Sequence, residues 1–157
     1  MGRIYTASEI RTRDIDWFCA INGIYVHVAS AGGNIPNFIN NYSVLRPSQR
    51  AAEALEDINT NNEIHINEAF LRGMNVNLEH YLPSFVRMAK KGFYSFDRTN
   101  IDNPDDEHYH LVAWPTHLVN NVENIPAINT VGLDLDNPEM MNDIPLEGII
   151  EHSLLNR

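Results

Sequence analysis

The chain has 157 residues, of which 43% are hydrophobic, and its formal net charge is −10. This length can bury one sizeable core, so we expect a single globular domain over residues 1–157. The negative charge disfavours direct binding to nucleic acid or to anionic membranes, and no apolar run approaches the roughly 20 residues that cross a bilayer. The first residues turn polar before a signal-peptide core forms, so we expect the protein to be cytoplasmic at synthesis.

Charge is distributed unevenly along the chain. Residues 1–50 contain five arginines and three acidic side chains, a net charge of +2, whereas residues 51–157 carry −12. Such polarity favours head-to-tail packing between copies, although a solvated acidic surface is the simpler interpretation. As partners we therefore expect proteins, either further copies of this chain or a larger assembly.

A two-stranded hairpin over residues 16–30 is the strongest local prediction. Asn22 and Gly23 both tolerate the positive φ of a type I′ turn. A two-residue loop pairs Ile21 with Ile24, and alternation then gives one entirely apolar face: Trp17, Cys19, Ile21, Ile24, Val26 and Val28. The other face carries Phe18, Ala20, Tyr25 and His27, which is typical of a partly covered surface.

Three helices are predicted from apolar positions at helical spacing, near residues 45–58, 82–91 and 144–155. Pro47 and Pro83 are assigned to the first turns of the first two helices, where a missing N–H costs nothing.

A second hairpin is predicted over residues 93–114, with an acidic loop at its tip, and short strands at residues 63–67 and 128–134. The order of strands and helices implies an α+β fold. We expect an antiparallel or mixed sheet that is built on the two hairpins, about 16–30 and 93–114, and backed by the helices.

Aromatic side chains on the strand faces are the candidates for contact with a partner. In the second hairpin, Tyr94 and Phe96 share one face of their strand, and Tyr109, Leu111 and Ala113 share a face of the other. Together with the mixed face of the first hairpin, this predicts five interaction residues: Phe18, Tyr25, His27, Tyr94 and Phe96.

A His-x-His pair is the most suggestive chemical pattern. His108 and His110 alternate along one strand, so both imidazoles project from the same face, and Asp97 lies on the adjoining strand. Two histidines and a carboxylate resemble part of a two-His-one-carboxylate metal site. The residues after His110 are apolar and do not complete a cupin pattern, so solvated histidines beside an acidic loop are the simpler interpretation.

Other motifs of catalysis are missing from the sequence. Cys19 is the only cysteine, which excludes an intrachain disulfide, and its apolar strand face indicates a small buried hydrophobe. No serine stands in a Gly-x-Ser-x-Gly elbow, and there is no P-loop and no His-Glu-x-x-His motif. We therefore expect no cofactor.

Three functions stay open at this point. The preferred hypothesis is a non-enzymatic assembly or interaction protein. The first alternative is a small metal-dependent hydrolase or oxygenase that uses His108, His110 and Asp97. A regulatory domain that binds a small ligand is the second alternative.

Three stretches of the chain carry a resemblance to other proteins: residues 9–18 (EIRTRDIDWF), 27–33 (HVASAGG) and 91–99 (KGFYSFDRT). They resemble those of small uncharacterised proteins from crAss-like tailed phages of gut bacteria. The resemblance implies a virion or accessory protein, for example part of a ring or connector, and a final location in the virion. It brings no catalytic residues with it.

Overall fold

The computed structural model describes residues 3–21, 23–103, 106, 108–128 and 144–145. Its helices are α1 (Ala7–Thr12), α2 (Tyr42–Ala54), α3 (Glu68–Arg72), α4 (Leu78–Tyr81) and α5 (Pro83–Lys90). Its strands are β1 (Asp16–Ile21), β2 (Ile24–Ala29), β3 (Ile64–Ile66), β4 (Tyr94–Arg98), β5 (His108–Pro115), β6 (Ala127–Ile128) and β7 (Ile144–Pro145). The predicted α+β fold is confirmed.

The strands form one mixed sheet in the order β3-β5-β4-β2-β1-β6, and β7 pairs with β5. Both predicted hairpins are present as the antiparallel pairs β1–β2 and β4–β5. They join through β2 and β4, which are parallel, so the chain between them has to cross over the sheet through α2 to α5. Parallel pairing places the carboxyl ends of β2 and β4 at the same edge of the sheet.

The first hairpin has the predicted register. Trp17 pairs with Val28, and Ile21 pairs with Ile24. Gly23 has a φ of +84°, a left-handed value that a glycine adopts without strain, while Asn22 lies outside the described residues. Cys19 is fully buried, as its apolar strand face predicts, and burial raises the pKa of its thiol.

The sheet has a core on each face. The front core contains Trp17 and Val26 of the first hairpin and is closed by side chains of α1, α2 and residues 35–39. The back core packs against α3, α5 and the end of α2. Helix α2 contributes side chains to both cores, and it lies beside the start of β1, where Gln49 Nε2 donates to the backbone carbonyl of Asp16 at 2.8 Å.

The second hairpin contains a β-bulge that the sequence pattern does not reveal. Phe96 pairs with Leu111, but Ser95 pairs with Ala113, so Val112 is an extra residue in β5. Beyond the bulge the side chains change face, and Leu111 lies in the front core while Ala113 lies in the back core. The prediction that these two residues share a face is therefore wrong.

Helix α2 begins and ends earlier than the predicted range of 45–58. The Asn41 side chain caps it by accepting from Ser43 N at 3.0 Å, and this places Pro47 sixth in the helix, beyond the first turn. After Ala54, Ile58 N donates to the carbonyl of Lys90 at the end of α5 instead of continuing the helix. Tertiary hydrogen bonds thus set the end of α2.

Helix α5 agrees with the prediction of a helix near 82–91. Pro83 is its first residue, and Phe85, Met88 and Ala89 are buried. Among the described residues, no helix combines the length and the apolar character that crossing a bilayer requires.

The predicted helix near 144–155 is wrong at its start, because Ile144–Pro145 is a strand that pairs with His108 and Tyr109. Residues 146–155 lie outside the described part of the chain. The predicted strand at 128–134 is represented by β6, and residues 129–134 also lie outside it.

Candidate functional site

Polar side chains gather on the back face of the sheet, near the carboxyl ends of β2 and β4. The strand register pairs His27 of β2 with Ser95 of β4. On the opposite side of β4, it pairs Asp97 with His110 of β5. Helices α4 and α5 pack over this region and bring a tyrosine onto it. We call this group the polar cluster: Asp16, His27, Tyr81, Ser95, Asp97, Thr99 and His110.

One half of the polar cluster is a chain of hydrogen bonds centred on Tyr81. The Tyr81 hydroxyl donates to Asp97 Oδ2 at 2.6 Å and lies 3.0 Å from His110 Nε2. The phenol proton is directed at the carboxylate, so the imidazole Nε2–H donates to the phenol oxygen. His110 Nδ1 then accepts from the Thr99 hydroxyl at 3.0 Å. Each side chain therefore donates a hydrogen bond to the next one, in the order Thr99, His110, Tyr81 and Asp97.

Burial determines the charge states of the groups in this series of hydrogen bonds. It raises the pKa of Asp97 to about 6 and lowers that of His110 to about 4. Burial, together with the charge of Asp97, raises the pKa of Tyr81. At neutral pH the arrangement is therefore a carboxylate, a phenol and a neutral imidazole.

The other half of the polar cluster contains a serine, a histidine and an aspartate that are connected in the order of a serine hydrolase triad. Ser95 Oγ lies 2.6 Å from His27 Nδ1, and His27 Nε2 lies 2.8 Å from Asp16 Oδ1. The ring nitrogens are exchanged relative to the chymotrypsin arrangement, in which serine contacts Nε2 and the carboxylate contacts Nδ1. Ser95 is fully buried, so a substrate carbonyl does not reach its hydroxyl in this structure.

The three predicted metal ligands do not converge. Tyr81 stands between Asp97 and His110, and both ring nitrogens of His110 have hydrogen-bond partners. His108 is directed elsewhere, with its Nδ1 2.8 Å from Asp106 Oδ1. Within the described ranges, no three His, Cys, Asp or Glu side chains form a group that could hold a metal ion. The polar cluster therefore does not fit the predicted metal site.

The five predicted interaction residues lie inside the protein. Their exposed fractions are 1% for Phe18, 8% for Tyr25, 2% for His27, 7% for Tyr94 and 0% for Phe96. The mixed face of the first hairpin is fully covered by the back core, where the Phe18 and Phe93 rings lie 5.4 Å apart, so the prediction of a partly covered surface is wrong. An interaction surface needs exposed atoms, so these five residues do not form one in this structure.

A different surface has the properties of a docking site. The rings of Tyr5 and Tyr42 meet edge to face at 5.0 Å, and three arginines lie over them. Arg3 and Arg46 are 5.1 and 4.7 Å from the centre of the Tyr42 ring, and Arg13 is 5.5 Å from that of Tyr5. Contacts of this kind are cation–π interactions. We call these five residues the arginine–tyrosine patch.

The arginine–tyrosine patch carries excess positive charge. Glu9 is the carboxylate found with it and contacts Arg3 at 2.5 Å and Arg13 at 3.6 Å. The Arg3 and Arg13 side chains are more than half exposed, and Arg46 is exposed as well. Burial opposes ionisation of the Tyr42 phenol, but its hydrogen bonds with Tyr5 and Arg46 and the charge of Arg3 together lower its pKa.

The sequence contains a signal for this patch, namely the concentration of arginine in its first 50 residues. It does not show which arginines meet. The loop hydrogen bond from Tyr42 N to the Arg3 carbonyl, at 2.7 Å, brings the N-terminal segment onto the start of α2. That contact joins residues almost forty positions apart in the chain.

Comparison with known protein families, with characterised proteins and with solved structures finds no significant match to this chain. The site geometry is therefore the basis of the functional proposal.

Proposed function

We propose that this chain is a non-enzymatic assembly or interaction protein whose partner binds the arginine–tyrosine patch. The observation that carries the proposal is the exposed group of three arginines on two tyrosine rings, on a chain whose net charge is −10. Arginine and tyrosine are enriched among the residues that contribute most of the binding energy at protein–protein interfaces, because both combine a large flat surface with directed hydrogen bonds.

The state of the polar cluster supports the same proposal. Its most reactive groups, Ser95 and His110, are fully buried, and each has a hydrogen-bond partner inside the chain. Satisfied, buried polar networks fix a unique packing of the elements around them. We infer that the polar cluster holds α4 against the sheet, while the outer surface performs the function.

As the setting we propose the particle of a tailed phage, where the chain is part of a ring or connector. The resemblance of residues 9–18, 27–33 and 91–99 to proteins of crAss-like phages motivates this setting. Electron microscopy of the purified assembly tests it: a closed ring with a fixed number of copies is the expected result, and irregular aggregates contradict it.

The general proposal is tested by light scattering after size-exclusion chromatography and by capture of partners on the immobilised chain. The variant bait is R3E/R46E, which removes two patch arginines, and R72E, whose side chain is exposed on α3, is the control for charge reversal. We expect self-association or a captured partner with the wild type and R72E that R3E/R46E lacks. A strict monomer that captures nothing, or captures the same proteins without the patch, contradicts the proposal.

A further inference from the structure

The segment that follows α2 carries exposed acidic residues beside an exposed apolar one. Glu56 and Asp57 are exposed, and Ile58 is 45% exposed. The backbone N–H of Ile58 donates to the Lys90 carbonyl at 2.9 Å, so this segment is held against the end of α5. We call residues 56–58 the acidic ridge.

Two arginines of α2 lie where they repel each other. Arg46 and Arg50 are exposed and one helical turn apart, a spacing at which like charges repel. The first turn has no acidic residue and the last turn has no basic residue, which are the placements that the helix dipole favours. A binding partner with negative charge would offset the repulsion between these two arginines.

We propose that the arginine–tyrosine patch of one copy binds the acidic ridge of a second copy. This inference rests on the proposed function and names its partner. Guanidinium groups of the patch meet the carboxylates of Glu56 and Asp57, and the face of Tyr42 offers Ile58 an apolar contact. The second copy is the favoured occupant because the chain beyond residue 50 carries a net charge of −12.

The geometry of α2 makes the contact one between copies. The patch lies at the start of this 13-residue helix and the ridge follows its end. At 1.5 Å per residue, roughly 18 Å of rigid helix separate them. The two surfaces differ, so the interface is head to tail, and successive copies form either a closed ring or an open filament.

Charge reversal on each side tests the pairing. The variants are R46E on the patch, E56R/D57R on the ridge, and the chain that carries all three substitutions. R72E, on the exposed surface of α3, makes the same change in net charge as R46E and serves as the control. Circular dichroism and thermal melting of each variant verify that it folds, and sedimentation velocity measures its association.

We expect the wild type and R72E to associate, with an affinity that falls as salt is raised because the charges are exposed. R46E and E56R/D57R alone should each weaken association at least about tenfold. The triple variant should associate again, and so should a mixture of R46E with E56R/D57R, because the carboxylate introduced at position 46 then meets the guanidinium groups introduced at positions 56 and 57.

Two results overturn the inference, and a third identifies nucleic acid as the occupant. If R46E and E56R/D57R associate like the wild type, the copies meet through another surface, and the general proposal of an assembly protein still stands. If the wild type is a monomer, there is no contact between copies. If, in addition, a duplex DNA probe binds the wild type and not R46E by fluorescence anisotropy, nucleic acid is the occupant of the patch.

Discussion

The Tyr81 hydroxyl lies 2.6 Å from Asp97 Oδ2, and this hydrogen bond ties helix α4 to strand β4. The same hydroxyl lies 3.0 Å from His110 Nε2 on the neighbouring strand. One phenol therefore satisfies a carboxylate and an imidazole that are both buried. Without the Tyr81 hydroxyl, Asp97 Oδ2 and His110 Nε2 would each lose their hydration on folding without this hydrogen bond in return.

Tyr81→Phe should destabilise the protein by about 1–3 kcal/mol, because it removes one hydrogen-bond partner from Asp97 and one from His110 but leaves both groups buried. Urea unfolding measures the free energy. Tyr94→Phe is the matched control, since Tyr94 is also buried and the same hydroxyl is removed from another place in the core. Equal losses in the two variants would contradict the role of the Tyr81 hydroxyl.

The pH dependence of stability should show two opposing contributions from the polar cluster. The pKa of Asp97 is raised from 3.8 to about 6 on folding, so its contribution to stability is complete at low pH and is lost as the pH rises through 6. The pKa of His110 is lowered from 6.5 to about 4, so its contribution is complete above pH 6.5 and is lost as the pH falls through 4. Each corresponds to about 3 kcal/mol. Between pH 4 and 6 they offset each other.

Single substitutions should reveal the two contributions separately. In Asp97→Asn the free energy of unfolding should rise relative to wild type as the pH goes from about 4 to 6.5, because only the histidine contribution remains. In His110→Gln it should fall from about pH 4 to 6. Chemical unfolding at a series of pH values measures both effects. If the free energy of unfolding has the same pH dependence in the wild type and in both variants, Asp97 and His110 do not make these contributions.

Gly23→Val should cost about 1–3 kcal/mol through backbone strain, because a β-branched residue is forced to a φ of +84°. Space is not the reason, since a Cβ at this position meets no atom within 4 Å. Gly73→Ala is the control, because Gly73 has a helical φ of −75°. A melting temperature that Gly23→Val leaves unmoved would contradict the turn.

Arg98→Lys should destabilise the protein by about 2–3 kcal/mol although it keeps the positive charge. The buried Arg98 guanidinium donates to the carbonyls of Ala31, Ile101, Asn103 and Asp106, at 2.9 to 3.3 Å, and so connects two loops. A lysine ammonium is a compact donor and cannot reach both loops. Arg72→Lys on the exposed face of α3 is the control in thermal melting, and an equal effect there would contradict the role of the planar group.

Local sequence predicts an element well where the residues that define it are close together in the chain. The first hairpin follows from its turn glycine and from alternation over six residues on each strand. Helix α5 follows from Pro83 at its start and from Phe85 and Met88 on one face. Helix α2 was misplaced because Asn41 caps it before its apolar residues begin.

The candidate sites depend on contacts that sequence spacing does not encode. The sequence singles out His110 and Asp97, but it does not show that Tyr81 from a separate helix stands between them. The predicted interaction residues failed because amphipathic alternation cannot distinguish a face that water covers from a face that another element of the same chain covers. Phe18, packed on Phe93, is the example.

The sequence by itself determined the two hairpins, the register of the first, the position of α5 and the polarity of charge between the first 50 residues and the rest. Turn chemistry and side-chain periodicity act over a few residues, and composition needs no structure at all. Only the tertiary structure decided that β2 and β4 pair in parallel, that a bulge at Val112 turns Ala113 to the back core, and that Tyr5 and Tyr42 gather three arginines. These features depend on packing between distant segments, where burial and hydrogen-bond satisfaction outweigh local preference.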